Sequence, residues 1–244
     1  MTDTFGPHVV ATYGATDPAA PLVVLLHGRG SDETEIIGLA SHLPTGPQYA
    51  AVRAPIAEGG GFAWFANHGI GRPVAESLRA TMDWFTGWLD HVAPAGRPVV
   101  LVGFSGGAAF AGGLVLDRPT RYSGAAVLFG TMPFEAGIAT DRHTLGGLPV
   151  FVAQGDSDHV TRELLDRTWE YLGSDSGARA SALRVPGGHQ LTAPVVEPLG
   201  EWITGITGRV DGLSAQTRAG RDLLAGITRC WRAIRARRHL VSGW

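Results

Sequence analysis

The chain has 244 residues, 44% of them hydrophobic, which suits one ordinary core and excludes a disordered or fibrous protein. No stretch approaches the ~20 apolar residues a membrane helix needs, and the single cysteine, Cys230, excludes a disulfide within the chain. The formal net charge of −2 hides an asymmetry: Gly208 to Trp244 carries eight arginines against two aspartates, a net of +6, which leaves −8 on the remainder.

His8 to Tyr13 reads as a first strand, and Pro21 to His27 as an apolar run of buried-strand length. The second run ends in His27-Gly28-Arg29-Gly30-Ser31-Asp32-Glu33. Ser31 or Asp32 can cap the helix that follows, whose apolar face is Ile36, Ile37, Leu39, Ala40 and Leu43. Tyr49 to Ala54 is a short strand stopped by Pro55. Ile56 to Gly71 reads as a loop, with Gly59-Gly60-Gly61 followed by Phe62, Trp64 and Phe65. Those rings either tuck into the core or line a substrate pocket, because loops on a rigid sheet carry most binding residues. Phe62, Trp64 and Phe65 are expected to line a substrate pocket. Arg72 to Val92 is the clearest helix, with Leu78, Met82, Phe85, Leu89 and Val92 at spacings of three and four.

Val99 to Val102 is an unbroken apolar, β-branched run, and the residues from Ala108 to Leu116 are compatible with a helix. Between them Gly103-Phe104-Ser105-Gly106-Gly107 fits G-x-S-x-G, a sharp strand-to-helix turn that lifts its serine off the sheet edge. Neighbouring chain passes so close that only glycine fits two positions on either side. Further strands are expected at Tyr122–Gly130, Leu148–Gly155 and Arg179–Val185, with helices at Thr161–Leu172 and Val196–Ile206. Strands alternating with helices predict an α/β fold, a mostly parallel sheet covered on both faces.

A serine hydroxyl needs a base to take its proton, and the base needs a third group to orient it. Two aspartates, Asp156 and Asp158, stand just past one strand, and His189 stands in a glycine-rich loop past the last. Ligand sites in parallel sheets gather at the carboxyl ends of strands, so these groups converge on Ser105. The residues themselves leave Asp156 and Asp158 open. His159 is read as a loop residue and His27 as a brace for the loop after its strand. The oxyanion of a tetrahedral intermediate needs two N–H donors, and the backbone of Arg29 and Gly106 occupies those places. No metal or cofactor enters this chemistry.

Leu26-His27-Gly28-Arg29-Gly30-Ser31-Asp32-Glu33, Gly103-Phe104-Ser105-Gly106-Gly107, Gln154-Gly155-Asp156-Ser157-Asp158 and Gly187-Gly188-His189 together resemble the phospholipase/carboxylesterase family of α/β-hydrolases, over residues 8 to 206. The resemblance implies an α/β-hydrolase fold with little or no lid. It implies a catalytic serine, Ser105, with His189 as base and Asp158, rather than Asp156, as the acid. The chain departs from the family's pattern at Gln154, which stands at a usual histidine, and at Gly106, which stands at a frequent glutamine. Leu128-Phe129-Gly130-Thr131 also differs from the usual Leu-Ser-Gly. The expected activity is hydrolysis of short to medium acyl esters. The alternatives are a lysophospholipase or acyl thioesterase with the same triad, or a non-catalytic binding protein on a hydrolase scaffold.

Residues 1–207 are thus expected to form the catalytic domain, and 208–244 a helical extension. In the latter, Leu223, Leu224, Ile227, Trp231 and Ile234 fall on one helical face and most arginines elsewhere. A basic amphipathic helix of this kind is expected to dock on the acidic body of its own chain or of a second copy, or on anionic membrane. No nucleic-acid reading motif is present. The first six residues lack the basic and apolar regions of a secretory signal, so a reducing cytoplasm is the expected compartment. Since every candidate site residue precedes the extension, truncation after Gly208 should leave kcat on a small soluble ester within a few-fold of the intact chain. A truncated protein that folds by circular dichroism but hydrolyses nothing would place the extension in the site.

Overall fold

The computed structural model describes residues 5–208. The expected C-terminal extension lies, beyond Gly208, outside the described residues. Seven strands form one sheet: β1 (Val10–Gly14), β2 (Leu22–Leu26), β3 (Gln48–Val52), β6 (Val99–Phe104), β7 (Gly124–Leu128), β8 (Pro149–Gly155) and β9 (Arg179–Val185). Their order is β1-β3-β2-β6-β7-β8-β9. Only β1 runs antiparallel, at the edge beside β3; all other pairs are parallel. Every residue of β2 and β7 is buried, as expected of strands covered on both faces.

Helices α2 (Ala75–Val92) and α3 (Gly106–Asp117) supply one face. Leu78, Met82, Phe85 and Leu89 of α2 pack there with Phe110 and Leu114 of α3. The short α1 (Glu33–Ile36), the 3-10 turn Ile37–His42 after it, and α5 (Ala193–Thr207) cover the other face through Ile36, Leu39, Val195, Leu199 and Ile203. Helix α4 (Arg162–Glu170) follows β8. Asp32 caps α1, its carboxylate accepting from the N–H groups of Thr34 and Glu35 at 2.9 and 3.1 Å.

The segment expected to be a plain loop is instead a β-hairpin, β4 (Ile56–Glu58) with β5 (Gly61–Ala63). Gly59 and Gly60 turn it, both at positive φ, 59° and 87°. The hairpin lies against the loop after β2: Gly30 N–H donates to the Phe62 carbonyl and Phe62 N–H to the Ser31 carbonyl, at 2.9 and 3.0 Å. Contact is so close that a Cβ on Gly61 would sit 2.0 Å from the Gly30 oxygen.

Trp64, expected to line a pocket, is 1% exposed and belongs to the core. Its ring stacks on Phe110 with centroids 4.4 Å apart, and its indole N–H donates to the His27 carbonyl at 2.9 Å. Phe62 also packs against this core, beneath the Arg53 guanidinium. Removing the Trp64 ring leaves a large void and an unpaired carbonyl. Trp64→Ala should therefore cost about 3–5 kcal/mol in denaturant unfolding, and a loss below about 1 kcal/mol would show that the ring is not packed as described.

Candidate active site

The carboxyl ends of β2, β6, β7, β8 and β9 deliver their following loops to one cleft of about 610 Å³. Gly28, Arg29, Ser105, Gly106, His159 and His189 all line it.

Ser105 sits between β6 and α3 at φ 55° and ψ −115°. A non-glycine residue there carries strain of about 1–3 kcal/mol, maintained only by surrounding structure. That structure is the crossing of three chain segments. A Cβ on Gly103 would lie 2.2 Å from the Gly107 oxygen, and one on Gly107 would lie 2.2 Å from the Leu26 oxygen. Gly130 serves the same crossing, since a Cβ there would meet the Ser105 carbonyl at 2.6 Å. Ser105 N–H donates to the Leu128 carbonyl at 2.9 Å, tying the turn to the end of β7.

Two backbone segments lie side by side next to Ser105. The Arg29 nitrogen is 3.4 Å from where a Gly106 Cβ would stand, and a Gly28 Cβ would stand 3.4 Å from the Ser105 Cβ. Gly106 opens α3, and the first N–H groups of a helix have no partner within it. The loop carrying Arg29 is held from outside. Its guanidinium makes a two-pronged ion pair with Glu58 of the hairpin and donates to the Phe65 carbonyl at 2.9 Å. The buried imidazole of His27 anchors the start of the same loop. Ala54 N–H donates to its Nε2 at 3.0 Å, so the ring proton is on Nδ1 and goes to the Gly28 carbonyl at 2.7 Å. Burial holds the His27 pKa below the usual imidazole range. With both nitrogens engaged, His27 braces the loop.

On the opposite wall it is Asp158, not Asp156, that meets His189. Asp158 Oδ1 and Oδ2 lie 3.0 and 3.1 Å from His189 Nδ1. The Asp158 side chain is fully buried, and Val160 N–H donates to its Oδ1 at 2.9 Å. Asp156 is exposed. A buried carboxylate on Nδ1 fixes the His189 tautomer with Nε2 as the free acceptor. Gln154, at the position where the family usually has histidine, is buried with both ends engaged. Its amide donates to the Leu165 carbonyl at 2.7 Å, and its oxygen accepts from Arg184.

The sequence reading missed three contributors. Phe104 and Phe129 pack their rings 5.0 and 6.1 Å from the His189 ring. His159 lies closer still, its ring centroid 4.1 Å from that of His189. Phe104 could have been found from its place inside the serine turn, and Phe129 from its place in the stretch that departs from the family's Leu-Ser-Gly. Of the three aromatics expected in a pocket, only Phe65 lines the cleft, where Ile70, Pro133 and Leu191 add apolar surface. Phe62 and Trp64 do not line it.

Comparison with known proteins shows the family and the fold. The profile of the family described as Phospholipase/Carboxylesterase matches residues 8–203. The chain is 30% identical over 187 residues to a protein described as putative hydrolase MhqD of Bacillus subtilis (strain 168), covering 74% of this chain and 91% of that one. Among solved structures it is similar to the Bacillus cereus carboxylesterase, with a TM-score of 0.72 and 25% identity, over 82% of this chain and 94% of that one. The fold is also that of Zea mays acyl-protein thioesterase 2, with a TM-score of 0.65 and 20% identity, over 82% and 99% of the two chains. A seven-stranded, mostly parallel sheet that gathers these loops at one edge is thus a known solution, and the chain belongs to the phospholipase/carboxylesterase family of α/β-hydrolases.

Proposed function

We propose that the chain is a serine carboxylesterase acting on short to medium acyl esters, with Ser105 as nucleophile, His189 as base and Asp158 as the orienting acid. The observation that carries this reading is the buried Asp158 held 3.0 Å from Nδ1 of His189, which lines the same cleft as a serine at positive φ.

In this mechanism Ser105 Oγ attacks the ester carbonyl carbon as its proton passes to His189 Nε2. The imidazolium that forms is stabilised by the Asp158 carboxylate on its other nitrogen. Negative charge develops on the former carbonyl oxygen, which accepts hydrogen bonds from the backbone N–H groups of Arg29 and Gly106. The positive end of α3 points toward the same charge. Collapse of the intermediate breaks the bond to the alcohol, which leaves with the proton from His189. Water then gives a proton to His189 and attacks the acyl-enzyme, and the second collapse returns the proton to Ser105 and frees the carboxylic acid. The proton carried off by the alcohol is replaced from water, so the cycle balances with water as the only co-substrate.

The cleft, about 610 Å³ in volume, offers an acyl chain the apolar wall of Phe65, Ile70, Pro133 and Leu191. A p-nitrophenyl ester series from acetate to palmitate should peak in the short to medium range.

Two measurements address the roles. A fluorophosphonate should add once per chain, at Ser105, and Ser105→Ala should abolish both labelling and hydrolysis; a label on another serine would reject the assignment. Asp158→Asn should lower kcat by about 10⁴, by analogy with loss of the orienting acid in serine proteases. Asp156→Asn should stay within a few-fold of the intact protein, and the reverse ranking would move the acid to Asp156.

A further inference from the structure

His159 has no part in the mechanism above, yet it stands against the centre of it. Its Nδ1 is 3.6 Å from Asp158 Oδ1, while His189 Nδ1 is 3.0 Å from the same oxygen. One ligand atom from each of Asp158, His159 and His189 falls within a group in which all pairs are closer than 4.8 Å. Nitrogen and oxygen ligands that share a tetrahedral zinc ion at about 2.1 Å lie roughly 3.4 Å apart. The two separations to Asp158 bracket that value and the third pair lies within 4.8 Å, so the three groups can share an ion once the imidazoles close on it. The chemistry also fits. Two imidazoles and a carboxylate are ligands that Zn²⁺ and its neighbours in the transition series accept. The carboxylate is fixed by the Val160 N–H, and His159, 58% exposed, opens the group to solvent.

We propose that Asp158, His159 and His189 form an inhibitory site for a divalent transition-metal ion. The ion takes the Nδ1 face of His189 that Asp158 otherwise holds. The imidazole proton moves from Nδ1 to Nε2, no bond to carbon changes, and the ring stays neutral. His189 then presents a donor to Ser105 where the reaction needs an acceptor. The metal site itself stands on the geometry; the inhibition rests on the role of His189 proposed above.

The test is a titration of the full-length protein with ZnCl₂, read both by calorimetry and by hydrolysis of p-nitrophenyl acetate. The intact chain is compared with His159→Gln, and with His159→Ala as the second variant; hydrolysis is expressed relative to each protein's own zinc-free rate. The proposal expects one ion bound through this site, hydrolysis lost in step with occupancy, and recovery on adding EDTA. Either variant should weaken both binding and inhibition roughly tenfold or more, since even the residues that support a metal ligand are worth 10- to 100-fold in affinity. Equal zinc affinity in all three proteins overturns the proposal, as does undiminished or faster hydrolysis with the ion bound. A chain that binds zinc through His159 but hydrolyses no ester upholds the ion site and overturns the esterase reading instead.

Discussion

The site depends on one backbone constraint, the conformation of Ser105 at φ 55°. A side-chain-bearing residue does not adopt it unless neighbouring chain leaves no alternative. The neighbouring chain here is the end of β2, whose Leu26 oxygen leaves no room for a Cβ on Gly107, and the first turn of α3, whose Gly107 oxygen leaves none on Gly103. The sheet supplies the rest of the constraint. Parallel pairing of β6 with β2 and β7 fixes both the carbonyl of Leu26 and that of Leu128, which receives the Ser105 N–H. Sheet order therefore determines where the serine hydroxyl emerges.

The same logic explains the residues that support the cleft from outside it. The β2–α1 loop must hold the Arg29 N–H beside Gly106, and a loop of small residues does not hold itself. It is fixed from three sides. His27 reaches back to Ala54, the hairpin pairs with Gly30 and Ser31, and Glu58 clasps the Arg29 guanidinium. The ion pair is partly exposed, with side-chain accessibilities of 29% and 43%, so it contributes little to global stability. Its consequence is local, because it joins the hairpin to the residue whose backbone nitrogen stands beside Gly106, at the proposed oxyanion position. Trp64 secures the other end of this brace by hydrogen-bonding the His27 carbonyl from within the core.

The sequence was most informative where the physics is local. The serine turn needs glycines at fixed offsets, and apolar runs of strand length mark β2, β6, β7 and β8. His189 and Asp158 were legible through their order after strands, but the choice between Asp156 and Asp158 depended on family resemblance until side-chain placement paired one of them with His189. The hairpin was hidden because its strands are three residues long and its register is set by the loop it packs on. Phe62, Trp64 and Phe65 illustrate a related limit. Adjacent aromatics announce burial or binding, but the direction each ring takes is decided by Phe110, by the His27 carbonyl and by the shape of the cleft. His159 looked ordinary for the same reason: its proximity to His189 spans two loops from different strands.

The central claim is that a strained serine and two braced backbone N–H groups form one preorganised reaction centre. A crystal structure of the protein inactivated with a small alkyl fluorophosphonate tests it most directly, because the adduct mimics the tetrahedral intermediate. Phosphorus is expected on Ser105 Oγ, with one phosphonyl oxygen about 2.7–3.1 Å from the backbone nitrogens of both Arg29 and Gly106. Ser105 should still be at positive φ and the Arg29–Glu58 pair intact. An adduct whose phosphonyl oxygen turns away from those two nitrogens, or whose serine has relaxed to ordinary helical backbone, would contradict it.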